Sequence, residues 1–371
     1  MKIKNPFITS GYAGLDYFCD RREETAEVIN AIENNRNVTL MAPRRLGKTG
    51  LIENVFHILR EQHDYKVLIM DVFSAQDLPE FTMNFAAAVF KTFETGIEKA
   101  LAAATMFLKS CRPTLTIDPS DMSHKFSFDI APSAAASTLE DVFEYLAGRK
   151  SRIAIAFDEF QQIGEFPEKG VEALLRGFVQ KTPSISYVFA GSRQHLMREM
   201  FTNVKRPFYQ STQKMHLDVI PFESYCAFAM EKFAADSRRL DEKVFKMVYD
   251  RFGGVTWYVQ AVMNRLYGYG YDAPDASDVE AVVERMIGEN AYDYRTLIEA
   301  LPEGSVRLLK AIAREKTATE ISSAAFVARH SLKAPSATVE TLARLTEKEL
   351  VYKTDVGYIV YDRLFGEWLR K

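Results

Sequence analysis

The stretch VTLMAPRRLGKTGLIENVF, residues 38–56, constrains the fold of this chain more than any other. Val38 to Met41 is a β-favouring run, and Thr49 to Arg60 places Leu51, Ile52, Val55 and Leu59 on one side of a helix. Between them lies a loop ending in Gly47, Lys48 and Thr49. A strand that turns through such a loop into a helix gathers unpaired backbone N–H groups at the positive end of the helix dipole, which is where anions bind. The three residues fit the second half of the phosphate-binding pattern G-x-x-x-x-G-K-[ST], with Ala42 where its first glycine usually stands. That first position adjoins the strand and needs no positive φ, whereas Gly47 must let the backbone approach a phosphate. Pro43, Arg44, Arg45, Leu46 and Gly47, with the helix start through Gly50, are the expected cradle.

The surrounding chain repeats the strand–helix rhythm. A helix is expected at Glu23 to Glu33, with Ala26, Ile29 and Ile32 inward, then a buried strand at Lys66 to Asp71 and a long helix from Pro79 to about Ile97. Residues 99–137 break the pattern, and Thr114 to Ile117 and Lys125 to Ile130, either side of Pro119-Ser120-Asp121, predict an inserted β-hairpin. A helix at Leu139 to Leu146 leads to RIAIAFDEFQQI, a near-continuously apolar strand that ends in Asp158 and Glu159. Such a strand suits a parallel sheet covered on both faces. A helix at Val171 to Val179 and a buried strand at Ile185 to Ala190, ending in Gly191-Ser192-Arg193, complete an α/β pattern. Beyond Pro221 the sequence reads as helices to about Pro302, and then as short helices with an aromatic hairpin-like tail, LVYKTDVGYIVYDRLFGEWL.

A nucleoside triphosphate needs backbone donors, a cation for its β- and γ-phosphates, and a hydroxyl with a carboxylate to seat Mg²⁺. Lys48 is the candidate cation, and Thr49 with Asp158 the candidate Mg²⁺ pair. Glu159, just past the strand end, is placed to orient or deprotonate a water. Ser192 and Arg193 follow another strand, where they can reach the γ-phosphate, and an arginine there would stabilise developing charge. Arg44 and Arg45 either add positive potential or lie on the surface against acids; Arg176 is either a finger for a neighbouring subunit or a solvated helix arginine. Strand ends of an open α/β sheet are where ligands bind, and the loop, the Asp158-Glu159 pair and the Ser192-Arg193 pair lie there in the required order.

Composition narrows the partners. With 47 Lys plus Arg against 50 Asp plus Glu, global charge selects neither nucleic acid nor a membrane surface. No run approaches the ~18 apolar residues of a membrane span, and the start MKIKNPFITSGYAG lacks the apolar core of a signal peptide, so no membrane association and a cytoplasmic location are expected. Cys19, Cys111 and Cys226 form no C-x-x-C pair and read as small residues of a reducing compartment. The histidines form no H-E-x-x-H.

With these residues placed, the chain resembles the archaeal-type ATPase family, a branch of the signal-transduction ATPases (STAND) related to AAA+ proteins. FCDRREET matches the family's aromatic followed by Arg-x-x-Glu, with Arg21 and Glu24 in the matching places. APRRLGKT matches its loop, IAFDEFQQI its acidic strand, Ala190-Gly191-Ser192 its next strand end, and KRPFYQSTQKMHLDVIPF a later aromatic and short strand. The resemblance implies a RecA-like P-loop core that binds and hydrolyses ATP to ADP, with Arg21 at the nucleotide, then a helical lid and a winged-helix domain. It also implies adenine over guanine. Where signal-transduction ATPases carry Gly-x-Pro at the lid, this chain has Thr256 in FGGVTWYVQ. The expected division is 1–221 for the core with its 99–137 insertion, 222–301 for the lid and 302–371 for the winged helix.

The C-terminal residues carry a winged-helix order of their own: Ser305 to Arg314, then ISSAAFVARHSL, then Ser336 to Lys348 with Val339, Leu342 and Leu345 inward, then the aromatic wing. From Leu301 onward there are 12 Lys or Arg and 9 Asp or Glu. The third helix, the one that would enter a major groove, bears Glu340, Glu347 and Glu349 beside Arg344 and Lys348, a poor surface for phosphates. Three readings stand at this point: an ATP-hydrolysing regulatory switch that repositions lid and winged helix, the winged helix contacting protein or restraining the ATPase, with a protein partner or a homo-oligomer as candidates; a DNA-associated ATPase whose winged helix holds duplex DNA; and a nucleotide-binding scaffold that scarcely turns over.

Overall fold

The computed structural model describes residues 3–109, 112–117 and 124–371, which fold as two compact units. The first comprises residues up to Tyr225 together with Val255–Trp257. Its strands are β1 (Val38–Met41), β2 (Tyr65–Asp71), β3 (Arg112–Ile117), β4 (His124–Asp129), β5 (Arg152–Asp158), β6 (Ile185–Gly191) and β7 (Gln213–His216). Its helices are α1 (Arg22–Glu33), α2 (Lys48–Gln62), α3 (Leu78–Phe93), α4 (Ile97–Phe107), α5 (Ala135–Ala147), α6 (Val171–Lys181) and α7 (Gln194–Thr202).

The main sheet is parallel throughout, in the order β2-β5-β6-β1-β7. This is the RecA-like P-loop arrangement, in which β6 separates the strand of the phosphate loop from the strand that ends in Asp158. Register brings the strand ends level: Asp71 lies beside Asp158, and Met41 beside Gly191. Side chains alternate between two cores. Ile153, Ile155 and Phe157 of β5, with Tyr187 and Phe189 of β6, face a phenylalanine-rich core containing Phe81, Phe85, Phe143, Phe178 and Phe201 of α3, α5, α6 and α7. Ala154 and Ala156 of β5, with Val188 and Ala190 of β6, face the other way, against Val28 and Ala31 of α1 and Leu51, Val55 and Leu59 of α2. Small residues on that face let α2, whose N-terminus carries the phosphate loop, lie close over the sheet.

Several local expectations are corrected. The long helix ends at Phe93, where the backbone turns extended at Glu94, and α4 follows after Gly96 at φ +90°, so a helix opens the segment read as a hairpin insertion. The hairpin itself is β3 paired antiparallel to β4, and its predicted Pro119-Ser120-Asp121 turn lies outside the described residues. On α1 the inward face is Thr25, Val28, Ala31 and Ile32, and Ala26 is exposed.

The second unit comprises residues 226–254 and 258–371. It takes most of α8 (Phe222–Ala234) and of α10 (Thr256–Gly268), with α9 (Glu242–Phe252) and the long α11 (Ala276–Glu299). A winged-helix domain follows: α12 (Glu303–Glu315), α13 (Ala324–Arg329), α14 (Pro335–Glu347), then β8 (Val351–Lys353) paired antiparallel with β9 (Tyr358–Val360). Gly357 is needed in the turn between β8 and β9, since a Cβ there would stand 2.6 Å from the Ala318 carbonyl oxygen. The end of the tail, read as part of a hairpin, is instead α15 (Arg363–Arg370), capped by Asp362. It packs on α11 through Tyr294, Phe365 and Trp368, and Arg251 of α9 bridges Glu280 of α11 and Glu367 of α15.

On α14, Val339 is 52% exposed, against the inward placement expected of it, and Leu345 is 1% exposed. The buried stripe runs Thr338, Thr341, Leu345, and Val339 sits about 100° round the helix from Thr338. Leu345→Ala is accordingly expected to destabilise the protein by about 2–5 kcal/mol and Val339→Ala by less than about 0.5 kcal/mol in urea unfolding. Equal losses would place Val339 in a core.

Candidate nucleotide site

The phosphate loop closes between β1 and α2. Ala42 is buried with an ordinary backbone conformation, whereas Gly47 caps α2 at φ +87° and Arg45 also lies at positive φ, +71°. Leu46 is buried, Pro43 is half-buried, and Arg44, Arg45 and Thr49 are exposed. Phe18 lies under Gly50, with its ring edge 3.7 Å from where a Cβ would stand.

Lys48, only 6% exposed, donates to Asp158 Oδ1 and, at 3.0 Å, to Glu159 Oε1. Thr49 Oγ1 donates to the other Asp158 oxygen at 2.5 Å. Glu159 lies at positive φ, +52°, where the chain leaves β5, and its amide donates to Asp158 Oδ1 at 2.9 Å. Glu159 Oε2 accepts from Gln161 Nε2 and from Ser192 Oγ, each at 2.6 Å. Burial alone would push the Glu159 carboxyl up, but the Lys48 ammonium and hydrogen bonds from Ser192, Gln161 and Lys48 outweigh it and hold the group at about 2. Lys48, Thr49, Asp158, Glu159 and Ser192 therefore form one connected cluster, and Arg44 Nε reaches its edge by donating to Ser192 Oγ at 3.4 Å.

Other expected residues face elsewhere. The Arg193 guanidinium pairs with Glu165. Arg21, itself at positive φ, is buried: it pairs with Glu24 at 2.7 Å and donates to the carbonyl oxygens of Asp218 at 2.5 Å and Leu46 at 3.4 Å. It thus ties the phosphate loop to the segment after β7. Arg176 lies on α6 and donates to Gln180 once that amide is oriented to accept. Arg45 stacks on Trp257, 4.6 Å from its ring centre. The Trp257 amide donates to the Arg45 carbonyl at 3.0 Å, and Thr256 Oγ1 to the Leu46 carbonyl at 3.2 Å. Thr256, where the resemblance leads one to expect proline, thus holds the phosphate loop through its hydroxyl.

Two carboxylates escaped sequence reasoning. Asp71, level with Asp158, is pushed up by burial and by the charges of Asp158 and Glu159. Glu53, one helical turn after Thr49, is pushed up by burial and by Asp158. The strand-end rule that singled out Asp158 applies equally to Asp71.

A divalent cation fits this donor set. The hydroxyl of Thr49 and the carboxylate of Asp158 converge as hard oxygens, which suit Mg²⁺, an ion that takes few protein ligands and completes its shell with phosphate oxygens and water. Among the described residues no group of three or more His, Cys, Asp or Glu is arranged to hold a metal unaided. Cys19 and Cys226 are buried, Cys111 lies outside the described residues, and no helix among these residues is long and apolar enough to cross a membrane.

Fold and site together define a P-loop nucleoside triphosphatase. Residues 18–262 match the model of an ATPase domain predominantly from Archaea, and the chain belongs to that family; it is an ATPase. Residues 292–371 match the model of a probable winged helix domain. Among solved structures, the fold is similar to that of a Walker-type ATPase of Pyrococcus abyssi, at TM-score 0.67 and 17% identity over 99% of this chain and 100% of that one. It is also similar to the ORC2 protein of Aeropyrum pernix in ADPNP–ADP complexes, at TM-score 0.59 and 14% identity over 98% and 96% of the two chains. The ORC1 protein of Aeropyrum pernix in complex with DNA aligns at TM-score 0.53 and 11% identity, covering 96% and 93%. No curated protein sequence matches this one.

The depressed Glu159 pKa links site and stability. A carboxyl held near 2 when folded, against an ordinary 4.5, stabilises the folded protein above about pH 4.5 and loses that contribution as pH falls towards 2. In urea unfolding without nucleotide, the stability difference between wild type and Glu159→Gln should be constant above about pH 5 and shrink below it. A difference that stays constant down to pH 2 would show that Glu159 is not held ionised by its partners.

Proposed function

We propose that the chain is a Mg²⁺-dependent, nucleotide-driven switch of the signal-transduction branch related to AAA+ proteins, working in the cytoplasm. Residues 1–221 form the ATPase core, 222–301 the lid and 302–371 the winged helix. The observation that carries the reading is the double engagement of Lys48 by Asp158 and Glu159. When ATP binds, Lys48 turns to the β- and γ-phosphates, with the backbone of residues 43–47 and the start of α2 around them. Thr49 and Asp158 would hold Mg²⁺, which would supply positive charge to the phosphates. Losing Lys48 removes the nearest cation from Glu159, so its carboxylate becomes a stronger base as substrate arrives. It then takes a proton from water as the water oxygen bonds to the γ-phosphorus and the bond to the ADP oxygen breaks. Ser192 holds Glu159, and Arg193, released from Glu165, stabilises charge on the γ-phosphate.

The switch reading is supported by the lid. Val255–Trp257 fold with the first unit although the residues on either side belong to the second, and Thr256 and Trp257 bind the carbonyls of Leu46 and Arg45. Movement of the phosphate loop on nucleotide exchange is thereby transmitted along the chain into α10. The winged helix is the output, and its partner is a protein, including a second copy of this chain. On α14 the exposed Arg344 pairs with Glu340 at 3.0 Å, and Glu347 and Glu349 flank Lys348, a poor surface for phosphates. Duplex DNA as partner is the second reading, favoured by the winged helix and by the likeness to the DNA-bound ORC1 fold.

Phosphate release from ATP with Mg²⁺, measured beside nucleotide binding, tests the first reading. Lys48→Ala should neither bind nor hydrolyse, and Glu159→Gln should bind while turnover falls by about 10²-fold or more. Wild type that binds ATP but never releases phosphate would favour the scaffold reading. For the second reading, the absence of any gel shift with duplex DNA at low salt would exclude DNA as the partner, and a shift that weakens with salt would establish it.

A further inference from the structure

Gln161 belongs to the turn that follows Glu159, and its side chain is 2% exposed. Its carboxamide lies over Gly191 at the end of β6: a Cβ on Gly191 would collide with Gln161 Oε1 and stand 2.5 Å from Met197. Gly191 has no positive φ, so the glycine is required there for space and not for backbone freedom. The space is filled by an amide with one strong bond, from Nε2 to Glu159 Oε2 at 2.6 Å. Its Oε1 is buried without a hydrogen-bond partner. Burying such a group without a partner is destabilising, and an apolar side chain of the same size would fit this pocket at lower cost.

The geometry at Glu159 shows what the amide does. One carboxylate oxygen, Oε2, is held from the sheet side by Gln161 and Ser192, and the other, Oε1, is left facing Lys48. Ser192 donates to Oε2 from its hydroxyl at 2.6 Å and from its amide at 3.4 Å, and Gln161 adds a third donor to the same oxygen from the turn after β5. Donors converging on Oε2 from two segments hold the carboxylate in place when Lys48 releases Oε1.

We propose that Gln161 is a positioning residue for ATP hydrolysis, fixing the Glu159 carboxylate so that Oε1 faces the space where the attacking water must stand. This rests on the role given to Glu159 above. Gln161 acts through Glu159, and Gly191 is small in order to admit it.

The test compares Gln161→Leu, Glu159→Gln and the double variant in the full-length protein, by single-turnover phosphate release, ATP binding and thermal unfolding. Gln161→Leu should hydrolyse about tenfold to hundredfold more slowly than wild type, the effect of losing one hydrogen bond to a charged catalytic group. Its ATP affinity should stay within about twofold and its unfolding midpoint within a few degrees of wild type, since loss of the bond to Glu159 is offset by removal of the unpartnered Oε1. In the Glu159→Gln background the same change should cause no further loss, since the group it positions is gone. Gln161→Met, which keeps length without the donor, repeats the measurement should the leucine pack badly. Hydrolysis by Gln161→Leu at the wild-type rate, with Glu159→Gln inactive, overturns the proposal and leaves the role of Glu159 standing. A further loss in the double variant also overturns it, because Gln161 would then act by another route. Full activity in Glu159→Gln would remove the role of Glu159, and this proposal with it.

Discussion

The site is organised by one buried ammonium held between two carboxylates. Lys48 lies at the start of α2, and Asp158 and Glu159 at the end of β5, so their contact requires α2 to lie close over the sheet. Removing either sign would leave the other buried and uncompensated, which costs about 3–5 kcal/mol where such pairs have been broken. The small residues Ala154, Ala156 and Ala190 beneath α2 are therefore as much a part of the site as the charges above them.

Strand order does the next part of the work. Because β6 lies between β1 and β5, Ser192 stands between the phosphate loop and Glu159, bonded to the glutamate on one side and reached by Arg44 on the other. Loop and acidic strand are joined through a group that belongs to neither. The phosphate loop is held in turn from two further directions, by Arg21 before α1 and by Thr256 at the start of α10, both donating to the Leu46 carbonyl. These contacts couple the loop to the segment before α1 and to the start of α10.

Much of this was legible in the sequence because the motifs carry their own geometry. A strand, a Gly-Lys-Thr loop and a helix can hardly be arranged in another way, and an apolar strand ending in Asp-Glu in a parallel sheet must bring those acids to the same edge. What escaped depended on contacts between distant segments. That Arg21 turns to the carbonyls of Leu46 and Asp218, and Arg193 to Glu165, follows from loop placement, which has no periodic signature. Val339 was misplaced because apolar spacing alone does not distinguish two neighbouring helical stripes when threonines line the buried one. Gln161 passed unnoticed beside Glu159, since only the fold shows that Gly191 makes room for it.

The most direct measurement is the structure of the protein with a non-hydrolysable ATP analogue and Mg²⁺. Lys48 Nζ should have left Asp158 and Glu159 for the β- and γ-phosphate oxygens, with the cation between Thr49 and Asp158 and with Glu159 still held through Oε2 by Gln161 and Ser192. Phosphates bound elsewhere, with Lys48 still paired to both acids, would contradict the account.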